Sequence, residues 1–219
     1  VSPGRCRLPD SEELQKKSAG AAKWSLATEI IVKIISPISQ LILARLLAPE
    51  AFGMVATVTM VVNFADMFAD AGFQKYLVQH SFRDKEDLHA NANVAFWTNF
   101  GVSVALWCLI AVCNDPVAAF VGNPSLGFPL TVACLSLPLT SFSSIQVALF
   151  HRSLDFKSLM PVRLASTLLN FGATLVLALM GFGYWSLIVG TLAANIVNAV
   201  GLTLLSEWKP GLFYSLDLL

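Results

Sequence analysis

Six stretches of predominantly apolar residues run along the chain, at 21–46, 52–78, 92–113, 128–150, 159–180 and 184–205. Each has the roughly 20 residues a helix needs to cross the hydrocarbon of a bilayer, so the pattern predicts six transmembrane helices. Breakers separate them. Ala48-Pro49-Glu50-Ala51 and Gly181-Phe182-Gly183 mark tight reversals, because Pro and Gly interrupt a helix where the chain turns back. The longer connection after 113 holds a short apolar piece at 117–121, too short to cross and expected to lie along the outer interface. Pro37 and Pro138 fall inside predicted helices, where a missing N–H invites a kink. Trp24, Trp97, Trp185 and Trp208 fall near helix ends, as interface anchors do, whereas Trp107 lies deeper and is expected to pack.

Charge gives the helices a direction. The net charge is zero, but the basic residues are not spread evenly. Arg5, Arg7, Lys16, Lys17 and Lys23 lie before or at the start of the first stretch, Lys75, Arg83 and Lys85 flank the second connection, Arg152, Lys157 and Arg163 flank the fourth, and Lys209 follows the last stretch. The intervening connections carry Arg45 alone. The positive-inside rule therefore places both ends of the chain on the cytoplasmic side. Residues 1–20 read as a polar cytoplasmic tail, 21–207 as a six-helix transmembrane lobe and 208–219 as a cytoplasmic exit segment. The tail lacks the short apolar core and small-residue cleavage site of a signal peptide.

Composition agrees and narrows the function classes. The chain is 56% hydrophobic and 13% charged, about half the roughly 25% of charged residues usual in soluble domains. Cys6, Cys108, Cys113 and Cys134 show no CxxC and no metal-ligand spacing, and three of them read as small apolar thiols in or beside the apolar stretches. No metal or cofactor is expected. There is no GxxxxGK[ST] loop, so the chain is not itself an ATPase, and the tail lacks the charge and aromatic pattern of a nucleic-acid binder.

Polar residues inside the apolar stretches fall on helical stripes. Glu29, Lys33, Ser36 and Gln40 share one face, as do Asn63, Asp66 and Asp70. Arg163, Thr167, Asn170 and Thr174 form a third stripe, and Thr191, Asn195 and Asn198 a fourth. Ionisable groups at membrane depth cost several kcal/mol and usually face a partner or a cavity. Two readings follow: interhelical hydrogen bonds and ion pairs such as Glu29 with Lys33, or convergence on a water-filled cavity holding a polar solute. The stripes as a set favour the cavity. Arg45 and Asp70, near helix ends, can also reach water by snorkelling.

Longer motifs carry a resemblance. Leu43-Ala44-Arg45-Leu46-Leu47-Ala48-Pro49-Glu50-Ala51-Phe52-Gly53, followed by Phe64-Ala65-Asp66-Met67-Phe68-Ala69-Asp70-Ala71-Gly72-Phe73, resembles the first helical hairpin of bacterial polysaccharide (O-antigen type) flippases. These belong to the multidrug/oligosaccharidyl-lipid/polysaccharide transporter superfamily. Ala95-Phe96-Trp97-Thr98-Asn99 is similar to the start of the family's third helix, and Ala148 through Lys157 to its cytoplasmic loop. Gly183-Tyr184-Trp185-Ser186-Leu187 and Trp208-Lys209-Pro210 resemble the sixth helix and its exit. The resemblance spans about residues 19–219.

It implies an all-α polytopic membrane protein whose six transmembrane helices form one lobe of a two-lobe transporter. The chain then corresponds to the N-terminal half, and a fragment is expected rather than a short form that dimerises. The implied function is flipping of an undecaprenyl-pyrophosphate-linked oligosaccharide across the bacterial cytoplasmic (inner) membrane by alternating access. The implied partners are that lipid-linked oligosaccharide, the lipid bilayer, and a polysaccharide polymerase or export machinery, with no nucleic acid. The cavity candidates are Lys33, Gln40, Arg45, Asn63, Arg163, Asn170 and Asn195, the three cations being those able to meet a pyrophosphate. Glu29, Asp66 and Asp70 are candidates for ion or proton coupling. The rivals are a multidrug or small-cation exporter of the same superfamily and a purely structural membrane protein. The spacing His151-x-x-x-Asp155 resembles an acyltransferase motif but stands without a second catalytic group, so no catalytic residue is assigned.

Overall fold

A bilayer leaves no water to satisfy exposed peptide groups, so spanning chains close their hydrogen bonds within helices or closed barrels. This chain takes the helical solution. The computed structural model describes residues 30, 33–35, 37–69, 72–80, 82, 84–153, 155–206 and 208–211, and among them there is no strand. Glu29, Asp70 and Trp24 lie outside the described residues.

The helices are α1 (37–46), α2 (Pro49–Ala69), α3 (Phe73–Gln79), α4 (Lys85–Val112) and α5 (Asn114–Phe120). A 3₁₀ turn, Pro124–Leu126, leads into α6 (Gly127–Cys134), α7 (Ser136–Ser153), α8 (Phe156–Leu179) and α9 (Trp185–Leu205). Among the described residues, five segments are long and apolar enough to cross a membrane: Pro49–Ala69, Glu86–Val112, Pro124–Ser153, Ser158–Leu179 and Trp185–Leu205. The first apolar stretch is described only over its C-terminal part, α1. The protein is an all-α polytopic membrane protein.

Two of the expected helices are broken. The second stretch does not run on to 78, because Gly72 sits at φ 82° between α2 and α3. A side chain in that left-handed region costs about 1–2 kcal/mol, so glycine is the residue that allows α3 to leave the axis of α2. The fourth stretch is interrupted at Leu135, between α6 and α7. Pro138 explains the position: it has no N–H to give the carbonyl of Cys134 four residues back. Past the break, the Thr140 hydroxyl donates to the carbonyls of Ser136 and Leu137 at 2.9 and 3.0 Å.

The bundle has two ends. At the hairpin end, Leu43, Leu47 and Ala51 from the α1–α2 turn pack with Ala178, near Tyr184 of the α8–α9 turn. At the opposite end, which carries Lys75, Arg152 and Lys209 and is called the basic end below, Leu77, Ala92, Ala95, Phe96, Ile145 and Ala148 close around Trp208. Trp208 is therefore not the interface anchor expected from the sequence; it is 4% exposed and belongs to the core. The segment after α9 is held there, with Trp97 Nε1 donating to the Gly211 carbonyl at 2.8 Å and the Gly211 N–H donating to Asn93 Oδ1 at 3.1 Å. Trp107 packs as expected and donates to the Thr131 carbonyl at 3.1 Å.

α8 and α9 form the most extensive helix pair. Lipid tails are as apolar as Leu, so close van der Waals packing must hold such a pair, and small residues permit it. Gly190 faces Thr174 and the backbone of Asn170, and Gly201 faces Val162, in both cases too close for a Cβ. Large apolar side chains such as Met60, Phe64, Met67 and Phe68 of α2 and Leu204 of α9 are exposed on the outside. That pattern suits lipid better than water.

Candidate functional site

The hydroxyl and amide side chains of the middle of the bundle collect between α2–α3 on one side and α7 and α9 on the other. Three cavities line up there. The first, of about 230 Å³, lies between α2, α6, α7 and α9 and includes Asn63, Asp66, Thr140, Thr191 and Asn195 among mostly apolar walls. The second, also about 230 Å³, shares Asp66 and Thr140 with it and adds Gln74, Asn99, Ser141, Ser143 and Ser144. The third, about 200 Å³, shares Gln74 and Val147 with the second and opens at the basic end beside Lys75, Gln79 and His151. Neighbouring cavities share lining residues, so together they trace a discontinuous cleft along the bundle, from Ala133 at one end to His151 at the other.

The α7 wall of the cleft is a polar network. Asn99 of α4, 1% exposed, donates through Nδ2 to Ser144 Oγ at 3.1 Å and accepts from Ser141 Oγ at 3.3 Å through Oδ1. Ser103 and Ser141 share a short hydroxyl–hydroxyl hydrogen bond. Ser144 Oγ donates to the Ser141 carbonyl at 2.9 Å, and Asn198 Nδ2 of α9 reaches Ser143 Oγ at 3.5 Å. Each hydroxyl has two lone pairs and one proton, so a satisfied network of this kind still offers acceptors to a solute. The Asp66 carboxylate sits where the first two cavities meet.

The basic end is organised by Arg152. Its Nη1 donates to the carbonyls of Leu77 at 2.8 Å and His80 at 2.6 Å, and its guanidinium lies 4.8 Å over the Phe82 ring. A cation on the last carbonyls of α3 satisfies groups that have no partner within the helix and complements its dipole. His80 stacks on Tyr76 with ring centroids 4.8 Å apart. Asp155 is occupied as the N-cap of α8: Oδ1 accepts from the Ser158 N–H at 3.3 Å and Oδ2 from the Ser158 hydroxyl at 2.7 Å. Capping explains an Asp at that place without catalysis.

Of the residues marked in the sequence, Asn63, Asp66 and Asn195 come together on the first cavity. Lys33, Gln40, Arg45 and Arg163 are exposed and line none of the three cavities. Asn170 accepts from Thr174 Oγ1 at 3.2 Å in the tight α8–α9 contact. Thr167 and Thr191 return their hydroxyls to their own helices, donating to the carbonyls of Arg163 at 2.8 Å and Leu187 at 2.9 Å. All three bonds stay within one helix, so they are not the interhelical bonds expected of the stripes, and Thr191 also borders the first cavity. Gln74, Asn99, Thr140, Ser141 and Ser144 were missed. The signal for Thr140, Ser141 and Ser144 was the run Thr140-Ser141-Phe142-Ser143-Ser144-Ile145-Gln146, hidden inside a stretch counted as apolar because hydroxyls weigh little on hydropathy.

Comparison with known proteins fits this architecture. A family model described as polysaccharide biosynthesis protein matches residues 42–219. The succinoglycan biosynthesis transport protein ExoT of Rhizobium meliloti (strain 1021) is 29% identical over 194 residues, 89% of this chain and 38% of that protein. The lipopolysaccharide biosynthesis protein WzxC of Escherichia coli (strain K12) is 23% identical over 209 residues, 93% of this chain and 41% of that protein. An uncharacterized membrane protein in the cps region of Klebsiella pneumoniae is 24% identical over 167 residues, 76% of this chain and 34% of that protein. The chain thus spans 34–41% of the length of these relatives. No solved structure matches.

Proposed function

Because the chain belongs to the polysaccharide biosynthesis protein family, we propose that it forms one lobe of a flippase moving an undecaprenyl-pyrophosphate-linked oligosaccharide across the bacterial cytoplasmic membrane. The observation that carries this reading is the cleft: three adjoining cavities bordered by amides and hydroxyls in a bundle that exposes large apolar side chains on its surface. An oligosaccharide head cannot cross hydrocarbon unaided, since each unpaired polar group there costs several kcal/mol. A cleft rich in donors and acceptors replaces the lost water. One lobe lines one side of such a path, and rocking of two lobes about it gives alternating access. Asp66, at the junction of two cavities, is the group placed to couple the cycle to a proton or cation. The positive-inside rule puts the basic end in the cytoplasm, where the lipid-linked substrate is made.

Deleting the gene in its native host tests the proposal. Surface polysaccharide should be lost and lipid-linked oligosaccharide should accumulate, both restored by the full-length gene and not by one carrying Asp66→Asn. Intact surface polysaccharide with raised drug sensitivity would instead identify an exporter of small molecules and overturn the flippase reading.

A further inference from the structure

The three parts of the cleft differ in charge. Asp66 borders the first two, so an anion entering them meets a carboxylate. Among the described residues, none on the wall of the third is a carboxylate. It is bordered by Lys75, Gln74 and Gln79 of α3 and by His151 of α7, with Val78 and Val147 beside them. Lysine brings three N–H donors and a point charge, the imidazole a further donor, and each glutamine two more. A volume of about 200 Å³ has room for several water-sized groups, a water in the liquid taking roughly 30 Å³.

Geometry makes this pairing durable. Lys75 and His151 sit on different helices, and the neighbouring Arg152 fixes one to the other by holding the Leu77 and His80 carbonyls from the end of α7. Leu77, fully buried, fills the contact behind them. Arg152 is thereby engaged in the scaffold, and Lys75 and His151 are the basic side chains bordering the cavity. Val78 is 39% exposed, which gives the cavity an apolar lip.

We propose that Lys75 and His151 form a docking site for the pyrophosphate group of a polyprenyl lipid at the basic end of the cleft, while the hydroxyl-lined part receives the glycan. The proposal rests on the flippase reading and deepens it. Charge–charge attraction sorts the two halves of the substrate: the phosphates stay at the cationic end, and the neutral sugar hydroxyls pass on to Asn99, Ser141 and Ser144. The apolar lip then meets the first isoprene units.

The test uses the full-length protein in detergent and undecaprenyl pyrophosphate bearing no glycan, with binding followed by native mass spectrometry. The double variant Lys75→Gln/His151→Asn should lose at least tenfold in affinity, and Lys75→Arg should retain it. Gln79→Glu puts a carboxylate at an exposed position of the same cavity and should weaken binding comparably, which keeps the test valid if the double variant does not fold. Inorganic pyrophosphate should compete poorly; competition equal to the lipid would overturn a lipid headgroup site in favour of a free-anion site. Phosphatidylglycerol competing as well as the pyrophosphate lipid would overturn it too. Wild-type binding that survives all these substitutions would overturn the docking site alone. No binding by the wild type would overturn both the site and the flippase reading.

Discussion

Asn99 on α4 and Ser144 on α7 meet through a 3.1 Å side-chain hydrogen bond with both residues buried. The same asparagine accepts from Ser141 at 3.3 Å, so one amide joins α4 to two successive positions of α7. Asn99→Leu keeps the branched shape, though with a larger side chain, and removes both contacts. A buried polar group left without its partner costs about 1–3 kcal/mol, while interhelical hydrogen bonds in membranes average roughly 0.6 kcal/mol. Since two bonds go and the Ser144 hydroxyl keeps its bond to the Ser141 carbonyl, a loss of about 1–2 kcal/mol is expected. Unfolding in detergent measures it. An unchanged midpoint would show that the network adds nothing to the α4–α7 contact.

At Gly190, α9 lies directly against Asn170 and Thr174 of α8. A Cβ there would overlap Thr174 Oγ1 and press on the Asn170 carbonyl at 3.2 Å. Gly190→Ala should therefore destabilise the pair by about 1–3 kcal/mol, the usual range for overpacking. Thr174→Ala in the same chain removes the nearer obstacle and should recover part of the loss. The comparison of the two melting midpoints separates a steric effect from a change in helix propensity, because alanine alone favours helix over glycine by about 1 kcal/mol.

Arg152 ties the end of α7 to α3 through two carbonyls and the Phe82 ring. Hydrogen bonds from a charged donor are worth about 1.5–3 kcal/mol when made by groups held out of water. Arg152→Ala should therefore loosen α3 locally, seen as faster hydrogen exchange at residues 77–80 with little change in α8 or α9. Arg152→Lys keeps the charge and loses the planar fork, so protection should be only partly restored. Equal exchange in all three proteins would mean that Leu77 packing alone holds α3.

The apolar periods made the helices legible, since crossing length and flanking charge are both one-dimensional properties. The breaks at Gly72 and Leu135 were harder. Gly72 was read as part of a motif rather than as a left-handed turn, and Pro138 disturbs the chain three residues before itself. The site was half legible. Asn63, Asp66 and Asn195 stood out because charged and amide groups are rare in apolar helices, whereas the serines of α7 did not, being small and able to satisfy themselves on their own helix. Trp208 misled for a different reason: position near a helix end says nothing about whether the following chain folds back, and here Gly211 is bound to Trp97 and Asn93.

Orientation is the remaining consequence of the charge pattern that a direct measurement can check. Ser125 and Ser153 are exposed and lie near the two ends of the Pro124–Ser153 segment. Its 30 residues correspond to about 45 Å of helix at roughly 1.5 Å per residue, more than the roughly 30 Å of hydrocarbon, so both serines clear the apolar layer. Basic residues near an anionic leaflet gain about 1 kcal/mol each, and among the described residues Lys75, Arg152 and Lys209 lie toward the Ser153 side, with Arg45 toward the other. In a variant whose four native cysteines are replaced, Ser125→Cys should react with an impermeant maleimide on intact cells. Ser153→Cys should react only after the membrane is opened. The reverse result would invert the lobe, place the Lys75 and His151 cavity at the outer face, and contradict the proposed cytoplasmic docking site.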